Sequence, residues 1–283
     1  MRRFAVASVI AAVVAVALSG CGASLGSPTD EFESVDPSHL VGVWHVENAA
    51  GAGRNTWLRL ADGVKVWTDC GTANGSWSAR SDAFLANLYI FDGEGCAFND
   101  FPAYWLRNAT GYGYVDGELT LLNRLNVPLA TLTVGTPPPQ TDPGYFDEEV
   151  LQPTRSASIS RQYIDAAPLP DGVEPTRDLV GRWAPAGYDG SSMYMDFLAD
   201  GRFSGSHACG GRDGRWLAAV DGSLLTTSGG LISAVGCSSD SPVLNAMMDS
   251  LDSIHQATTV GMNGDELTFY GPEGEVIATL VRE

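Results

Sequence analysis

The sequence predicts a mostly β protein of the α+β class, built from two tandem copies of one antiparallel domain. Three observations carry this expectation. Short segments recur in the same order at a nearly constant offset, runs of alternating apolar residues are separated by Asp-Gly and Asn-Gly turns, and only one long stretch has helical periodicity.

The repeat is the strongest signal. Leu40-Val41-Gly42-Val43-Trp44 recurs as Leu179-Val180-Gly181-Arg182-Trp183, an offset of 139, and Leu60-Ala61-Asp62-Gly63 recurs as Leu198-Ala199-Asp200-Gly201, an offset of 138. Cys70, Gly75 and Trp77 align with Cys209, Gly214 and Trp216 at 139. Glu118-Leu119-Thr120 and Leu129-Ala130-Thr131-Leu132 align with Glu266-Leu267-Thr268 and Ile277-Ala278-Thr279-Leu280 at 148. These islands place the copies at 39–134 and 178–283. The intervening 135–177, with its Pro137-Pro138-Pro139 run, reads as a proline-rich, semi-rigid spacer. Only its middle, 148–164, is a candidate for an added strand.

Within each copy the elements are mainly strands. Trp57 to Leu60 and Val64 to Trp67 flank an Asp-Gly turn, a strong hairpin cue. Leu88 to Phe91, Leu119 to Leu122 and Leu129 to Val134 also alternate as strands, which suits an antiparallel meander. In the second copy, Ser241-Pro242 supplies an N-cap and first-turn pair. Val243, Leu244, Met247, Met248, Leu251 and Ile254 then line one helical face. The first copy has only Pro102 to Asn108 there, which predicts a shorter helix.

The N-terminus predicts export. Met1-Arg2-Arg3, the apolar run Phe4 to Leu18 and small residues before Cys21 have the layout of a secretory signal peptide over 1–20. The run is too short to span a bilayer as a helix, which takes about 20 residues. Leu18-Ser19-Gly20-Cys21 resembles the lipobox of bacterial lipoproteins, which implies a lipid on Cys21 and a cell-membrane protein anchored on the extracytoplasmic face. Residues 21–38 then form an acidic, flexible tether. Loss of residues 1–20 removes Arg2 and Arg3 and no acid, so the formal charge moves from −18 to −20. A field of that sign repels nucleic acid and anionic headgroups. The membrane is therefore reached through the anchor, and no nucleic-acid partner is expected.

Cys21 aside, each copy holds two cysteines, Cys70 and Cys96, then Cys209 and Cys237, separated by 26 and 28 residues. Four cysteines allow three pairings. The duplication favours Cys70–Cys96 and Cys209–Cys237, each closing a loop whose cross-link stabilises a domain by about 3–4 kcal/mol. His207 and Cys209 make an incomplete metal set, because Thr68 stands where the first copy would need His207 and the other histidines lack ligand spacing. No metal and no cofactor are expected. A reactive thiolate at Cys209 needs a free sulfur, whereas exported, paired cysteines are oxidised.

The second copy, with Gly205-Ser206-His207-Ala208-Cys209, Gly214-Arg215-Trp216, Ser233-Ala234-Val235-Gly236-Cys237, the helix and Asp265-Glu266-Leu267-Thr268-Phe269, resembles the META domain of small heat-shock-type envelope lipoproteins. Gly210, Ser233 and Val235 depart from that family's usual asparagine, threonine and methionine. The first copy keeps the cysteines, Gly75-Ser76-Trp77 and the opening motif. The resemblance implies a curved, open-barrel-like antiparallel sheet carrying one helix, and a link to envelope stress tolerance without an established chemistry.

No G-x-S-x-G elbow, serine–lysine pair or phosphate loop is present. The expected function is therefore non-enzymatic: binding of an envelope protein or glycan. The alternative is a hydrolase with an unrecognised acidic active site. For the binder, the aromatics crowded around glycines and the short helix are the candidates, namely Trp105, Tyr112 and Tyr114. They would stack on a sugar or grip a protein partner if exposed.

Overall fold

The computed structural model describes residues 35–92, 103–134, 159, 161–187, 193–207, 210–229 and 241–283. The first eight strands are β1 (Gly42–Glu47), β2 (Trp57–Leu60), β3 (Val64–Thr68), β4 (Gly71–Arg80), β5 (Ala83–Asp92), β6 (Gly111–Val115), β7 (Glu118–Leu122) and β8 (Pro128–Val134). They pair in sequence order, all antiparallel, and β8 returns to β1 from Trp44↔Val134 to Glu47↔Thr131, closing a barrel. Between β5 and β6 the ladder is reduced to Ala83↔Gly111, where α1 (Tyr104–Asn108) crosses the gap.

A second sheet contains β9 (Glu174–Pro175), β10 (Gly181–Pro185), β11 (Tyr194–Phe197), β12 (Arg202–His207), β13 (Gly210–Ala218), β14 (Leu224–Ser228), β15 (Thr259–Asn263), β16 (Glu266–Tyr270) and β17 (Val276–Arg282). Its order is β14-β13-β12-β11-β10-β17-β16-β15-β9. The start of β14 and the start of β15 meet at the Ser223↔Thr259 bridge, flanked by Leu224 N–H to Thr258 O at 2.9 Å and Val260 N–H to Gly222 O at 2.8 Å. Strands β10 to β17 thus follow one another as β1 to β8 do. The helix α2 (Pro242–Ser253) occupies the place that α1 holds in the barrel.

The recurring motifs have recurring physical jobs. In Leu-Val-Gly-x-Trp the indole folds back on its own chain: Trp44 Nε1–H donates to Leu40 O at 2.8 Å and Trp183 Nε1–H to Leu179 O at 2.7 Å. A Cβ at Gly42 would lie 3.3 Å from the Trp44 ring, so glycine leaves the indole its room. The later tryptophans tie down the Asp-Gly hairpins, Trp77 Nε1–H on Ala61 O at 2.7 Å and Trp216 Nε1–H on Arg202 O at 3.0 Å. Each sheet wraps its own apolar core. Trp77, Phe84, Leu58 and Leu121 lie in the first, and Trp183, Phe197, Phe269 and Leu267 in the second. Met248, Leu251 and the following Ile254 join the second core.

Three expectations need correction. The tether does not extend to residue 38: Val35 is buried in the barrel core, and Asp36 Oδ1 accepts from Ser38 N–H in a 3-10 turn over Pro37–Leu40. The end of the proposed spacer is packed rather than free. Thr259 Oγ1–H donates to Ala167 O at 2.7 Å, and the strand added from the connector is Glu174–Pro175 on β15. Most of 148–164 lies outside the described residues. Finally, Val243 on the predicted apolar helix face is exposed. Among the described residues, no helix is long and apolar enough to cross a membrane.

Candidate functional site

Residues 32–283 form one compact unit, and within it the β4–β5 hairpin of the barrel packs on the β13–β14 hairpin of the second sheet. The contact is reciprocal. Ser76 and Arg215, which align in the repeat, each reach across: Ser76 Oγ–H donates to Ser228 O, and Arg215 Nη1–H donates to Ala86 O at 3.1 Å. Within each hairpin the two strands approach closely where Gly75 and Gly214 stand at matching positions. A Cβ on Gly75 would sit 1.9 Å from Asn87 O, and one on Gly214 would sit 2.0 Å from Thr227 O.

One end of this seam is sealed. Arg80, from the end of β4, donates through Nε to Ile164 O at 3.0 Å and through Nη1 to Leu224 O at 2.9 Å and Thr258 O at 2.7 Å. It therefore fastens the barrel, the connector and the second sheet together. Burial lowers its guanidinium to about 10, while Asp165 and Asp221 pull the other way.

The other end is open. A cleft of about 760 Å³ is lined by Leu88 and Tyr89 of β5, Arg107 of α1, Asp200, Arg202 and Phe203 of the β11–β12 hairpin, and Asp213 and Arg215 of β13, among others. An adjoining hollow of about 360 Å³ shares Arg107, Asn108, Asp200 and Arg215 with it and adds Arg124 and Leu125 from the β7–β8 turn. A cleft of this size falls in the range of small-molecule sites, about 300–1,000 Å³.

Charge is concentrated there. Four arginines, Arg107, Arg124, Arg202 and Arg215, face two aspartates, in a chain with 16 basic residues against 34 acidic ones. Arg202 is engaged by Asp200, Nε to Oδ2 at 2.7 Å. Burial alone would raise the Asp200 carboxyl, but hydrogen bonds from the Arg202 backbone and guanidinium hold it below its usual value. Arg215 is 7% exposed and has no ion pair among the described residues. Burial draws its guanidinium to about 10, with the like charges of Arg124 and Arg107 adding to the effect and Asp200 opposing it. Burial pushes the Asp213 carboxyl up, against a hydrogen bond from its own backbone.

The aromatic triad does not assemble as a surface. Trp105 is 3% and Tyr112 1% exposed, both in the barrel core, and Tyr112 Oη–H donates to Val35 O at 2.9 Å. Burial, with Asp36 and Asp82 acting in the same direction, raises the Tyr112 phenol. Only Tyr114 is exposed, at 36%. Trp105 and Tyr112 are withdrawn as binding residues. Alternation along β6 would put Tyr112 and Tyr114 on one face, yet Tyr112 is buried in the barrel core and Tyr114, near the end of the strand, is exposed.

Cys70 lies half-buried in the turn between β3 and β4, its N–H donating to Thr68 Oγ1 at 3.2 Å. Cys21, Cys96, Cys209 and Cys237 lie outside the described residues. His207 belongs to a polar bridge rather than to a ligand set: Asp252 of α2 meets His207 Nε2 at 3.3 Å and also Arg212 Nε. Among the described residues no group of three or more His, Cys, Asp or Glu is arranged to hold a metal.

The cleft arginines were missed in the sequence because they come from four separate elements and no local motif joins them. One faint signal exists: the alignment puts Arg215 opposite Ser76, a charge between Gly214 and Trp216, both buried. Comparisons with protein-family models, curated proteins and solved structures return no match.

Proposed function

We propose that this protein is a lipid-anchored binding protein of the cell envelope, whose ligand site is the cleft between two META-like domains, 39–134 and 178–283, joined through 135–177. In this reading the signal peptide is removed, Cys21 carries the lipid, and Cys70–Cys96 and Cys209–Cys237 staple the two copies. The matched order of β1–β8 and β10–β17 and the matched indole hydrogen bonds of Trp44 and Trp183 support the duplication. The single observation that carries the binding reading is the cleft itself, with walls supplied by both copies. A site of this kind gives duplication a purpose, because neither copy can form it alone. It takes a glycan or protein element small enough to enter.

The mature chain from residue 22, produced without its anchor, is the reagent for a test. Ser204 lines the cleft, so Ser204→Trp should fill it while leaving both cores intact. Wild-type protein should retain an envelope component that the folded Ser204→Trp protein does not. Equal capture by both removes the cleft as the site.

A second reading, hydrolysis, has one observation in its favour. Asp200 and Asp213 both line the cleft and their carboxyls are pushed in opposite directions, an arrangement that separates acid from base in carboxylate catalysis. Against it, Asp200 is clamped by Arg202 at 2.7 Å. Asp213 also lies over Gly229, where a Cβ would come 1.7 Å from its Oδ1. Turnover of glycosidase, esterase or peptidase substrates that disappears in Asp213→Asn would replace the binding reading with this one.

A further inference from the structure

We propose that the cleft is a site for a neutral carbohydrate, in which Asn87, Ser204 and Asp213 hydrogen-bond the hydroxyls of a sugar ring and Tyr89 covers its apolar face. The inference rests on the reading of the cleft as a ligand site and adds the chemistry of what enters it.

Strand pairing decides which side chains reach the cleft. On β5, Leu88 belongs to the barrel core, so its neighbours Asn87 and Tyr89 point outward. On the facing sheet Phe203 and Gly214 are paired, and a Cβ on Gly214 would sit 2.5 Å from the Phe203 ring. Phe203 faces the second core, which turns the adjacent pair, Ser204 and Asp213, to the outer face. Asn87, Tyr89, Ser204 and Asp213 all line the cleft. Two outward faces, one from each copy, therefore meet across it.

What these groups have left to offer is neutral. The cations of the cleft are engaged within the fold: Arg202 by Asp200 at 2.7 Å, Arg215 by Ala86 O at 3.1 Å and Arg107 by Leu88 O at 3.5 Å. An acidic chain of formal charge −18 also repels anions at longer range. By contrast, the side chains of Asn87, Tyr89 and Ser204 make no hydrogen bond with the described residues. An amide or a hydroxyl both donates and accepts, and that is what the hydroxyl of a sugar requires. Burial pushes the Asp213 carboxyl and the Tyr89 phenol up, which favours their uncharged forms. A sugar ring carries hydroxyls on its edge and C–H groups on its faces. The Tyr89 ring and Leu198, 40% exposed at the cleft, supply apolar surface for such a face. An anionic ligand would first have to displace one of the internal bonds of the arginines. A neutral polyol has only to displace water.

The test applies the mature chain to an array of neutral glycans, built from hexoses and N-acetylhexosamines, and of acidic glycans carrying uronate, sialic acid or sulfate. The strongest neutral binder is then titrated in solution. The expected result is saturable binding of neutral glycans, with an affinity that changes less than about two-fold between about 0.05 and 0.5 M salt, because no ion pair is formed. Asn87→Ala and, independently, Ser204→Ala should each weaken that glycan at least about five-fold by removing one partner of a ligand hydrogen bond. Both variants should unfold at the wild-type urea concentration. No binding of any neutral glycan, tighter binding of the acidic ones, or unchanged affinity in either folded variant each overturn the proposal. If neutral glycans fail while Ser204→Trp still abolishes envelope capture, the carbohydrate assignment is overturned and the cleft remains the site. If they bind and capture is indifferent to Ser204→Trp, the carbohydrate site stands and the larger functional reading fails instead.

Discussion

Arg80 and Arg215 occupy opposite ends of one seam, and burial pulls both guanidiniums down to about 10. Their surroundings are otherwise opposite. Arg80 gives hydrogen bonds to three backbone carbonyls from three segments and has Asp165 and Asp221 nearby. Arg215 gives one, to Ala86 O, and its nearest charged neighbours include two more arginines. The same side chain therefore does two jobs. Surrounded by carbonyls and acids, a buried arginine is a fastener. Among cations at the back of a cleft, with no ion pair among the described residues, it holds the barrel by a single bond to Ala86 O.

The largest effect expected from this contrast is at Arg80. Methionine at this position keeps much of the apolar stem but leaves the carbonyls of Ile164, Leu224 and Thr258 without their donor. Each such loss costs about 1–3 kcal/mol when the group stays buried, and breaking a buried charged network costs about 3–5 kcal/mol. Arg80→Met should lower unfolding stability by about 3–5 kcal/mol, measured by urea denaturation. For a unit of this size that corresponds to a melting temperature lower by about 6–20 °C. A change below about 1 kcal/mol would mean that the sealed end is no tighter than the open one.

Next in size are the two glycines that let the paired strands of each seam hairpin close on one another. Gly75→Ala and Gly214→Ala each drive a Cβ into a backbone carbonyl, at 1.9 Å and 2.0 Å. Neither neighbour can step aside without moving a strand, so each substitution should cost about 2–3 kcal/mol. The effect should be similar in the two copies if their hairpins are equivalent. A large loss for Gly75→Ala with none for Gly214→Ala would show that the two hairpins are not equivalent, which sharpens the contrast between the copies.

These glycines also mark what could be read from the chain in advance. Gly75, Gly214 and the four tryptophans Trp44, Trp77, Trp183 and Trp216 recur because each solves a local problem, a close approach or a capped turn. Local problems leave matched residues at matched spacing, so the Asp62-Gly63 hairpin, several strands and the helix from Pro242 were visible, whereas the glycine-rich β4 and β13 read as turns. The packing of one copy on the other was not, since Arg80 binds carbonyls at positions 164, 224 and 258, and backbone acceptors carry no residue signature. The aromatic misreading has a related cause. Period-two alternation shows that Tyr112 and Tyr114 share a face but not which side of the sheet is wet. Barrel closure through β1 and β8 decides that, and it is set by pairing across some ninety residues. Val35 escaped notice for the same reason: its burial depends on Tyr112, far along the chain.

The smallest effect is expected at Arg215, and it is the one that decides the comparison. Arg215→Met removes a single hydrogen bond to Ala86 O, worth about 1 kcal/mol net. It also removes a buried cation held near Arg107 and Arg124, whose repulsion opposes folding. The two should nearly cancel, leaving stability within about 1 kcal/mol of the wild type. The pH dependence follows from the direction of the shift. A basic group whose folded value, about 10, lies below its ordinary value binds its proton less well in the fold. Its charge is thus a standing penalty at every pH below about 10, relieved only as pH rises from there towards the group's ordinary value. Between pH 6 and 9 the difference between Arg215→Met and wild type should consequently be flat. Urea titrations at several pH values in that window check both claims. A loss as large as that of Arg80→Met would make Arg215 a second fastener and remove the contrast between the two ends of the seam.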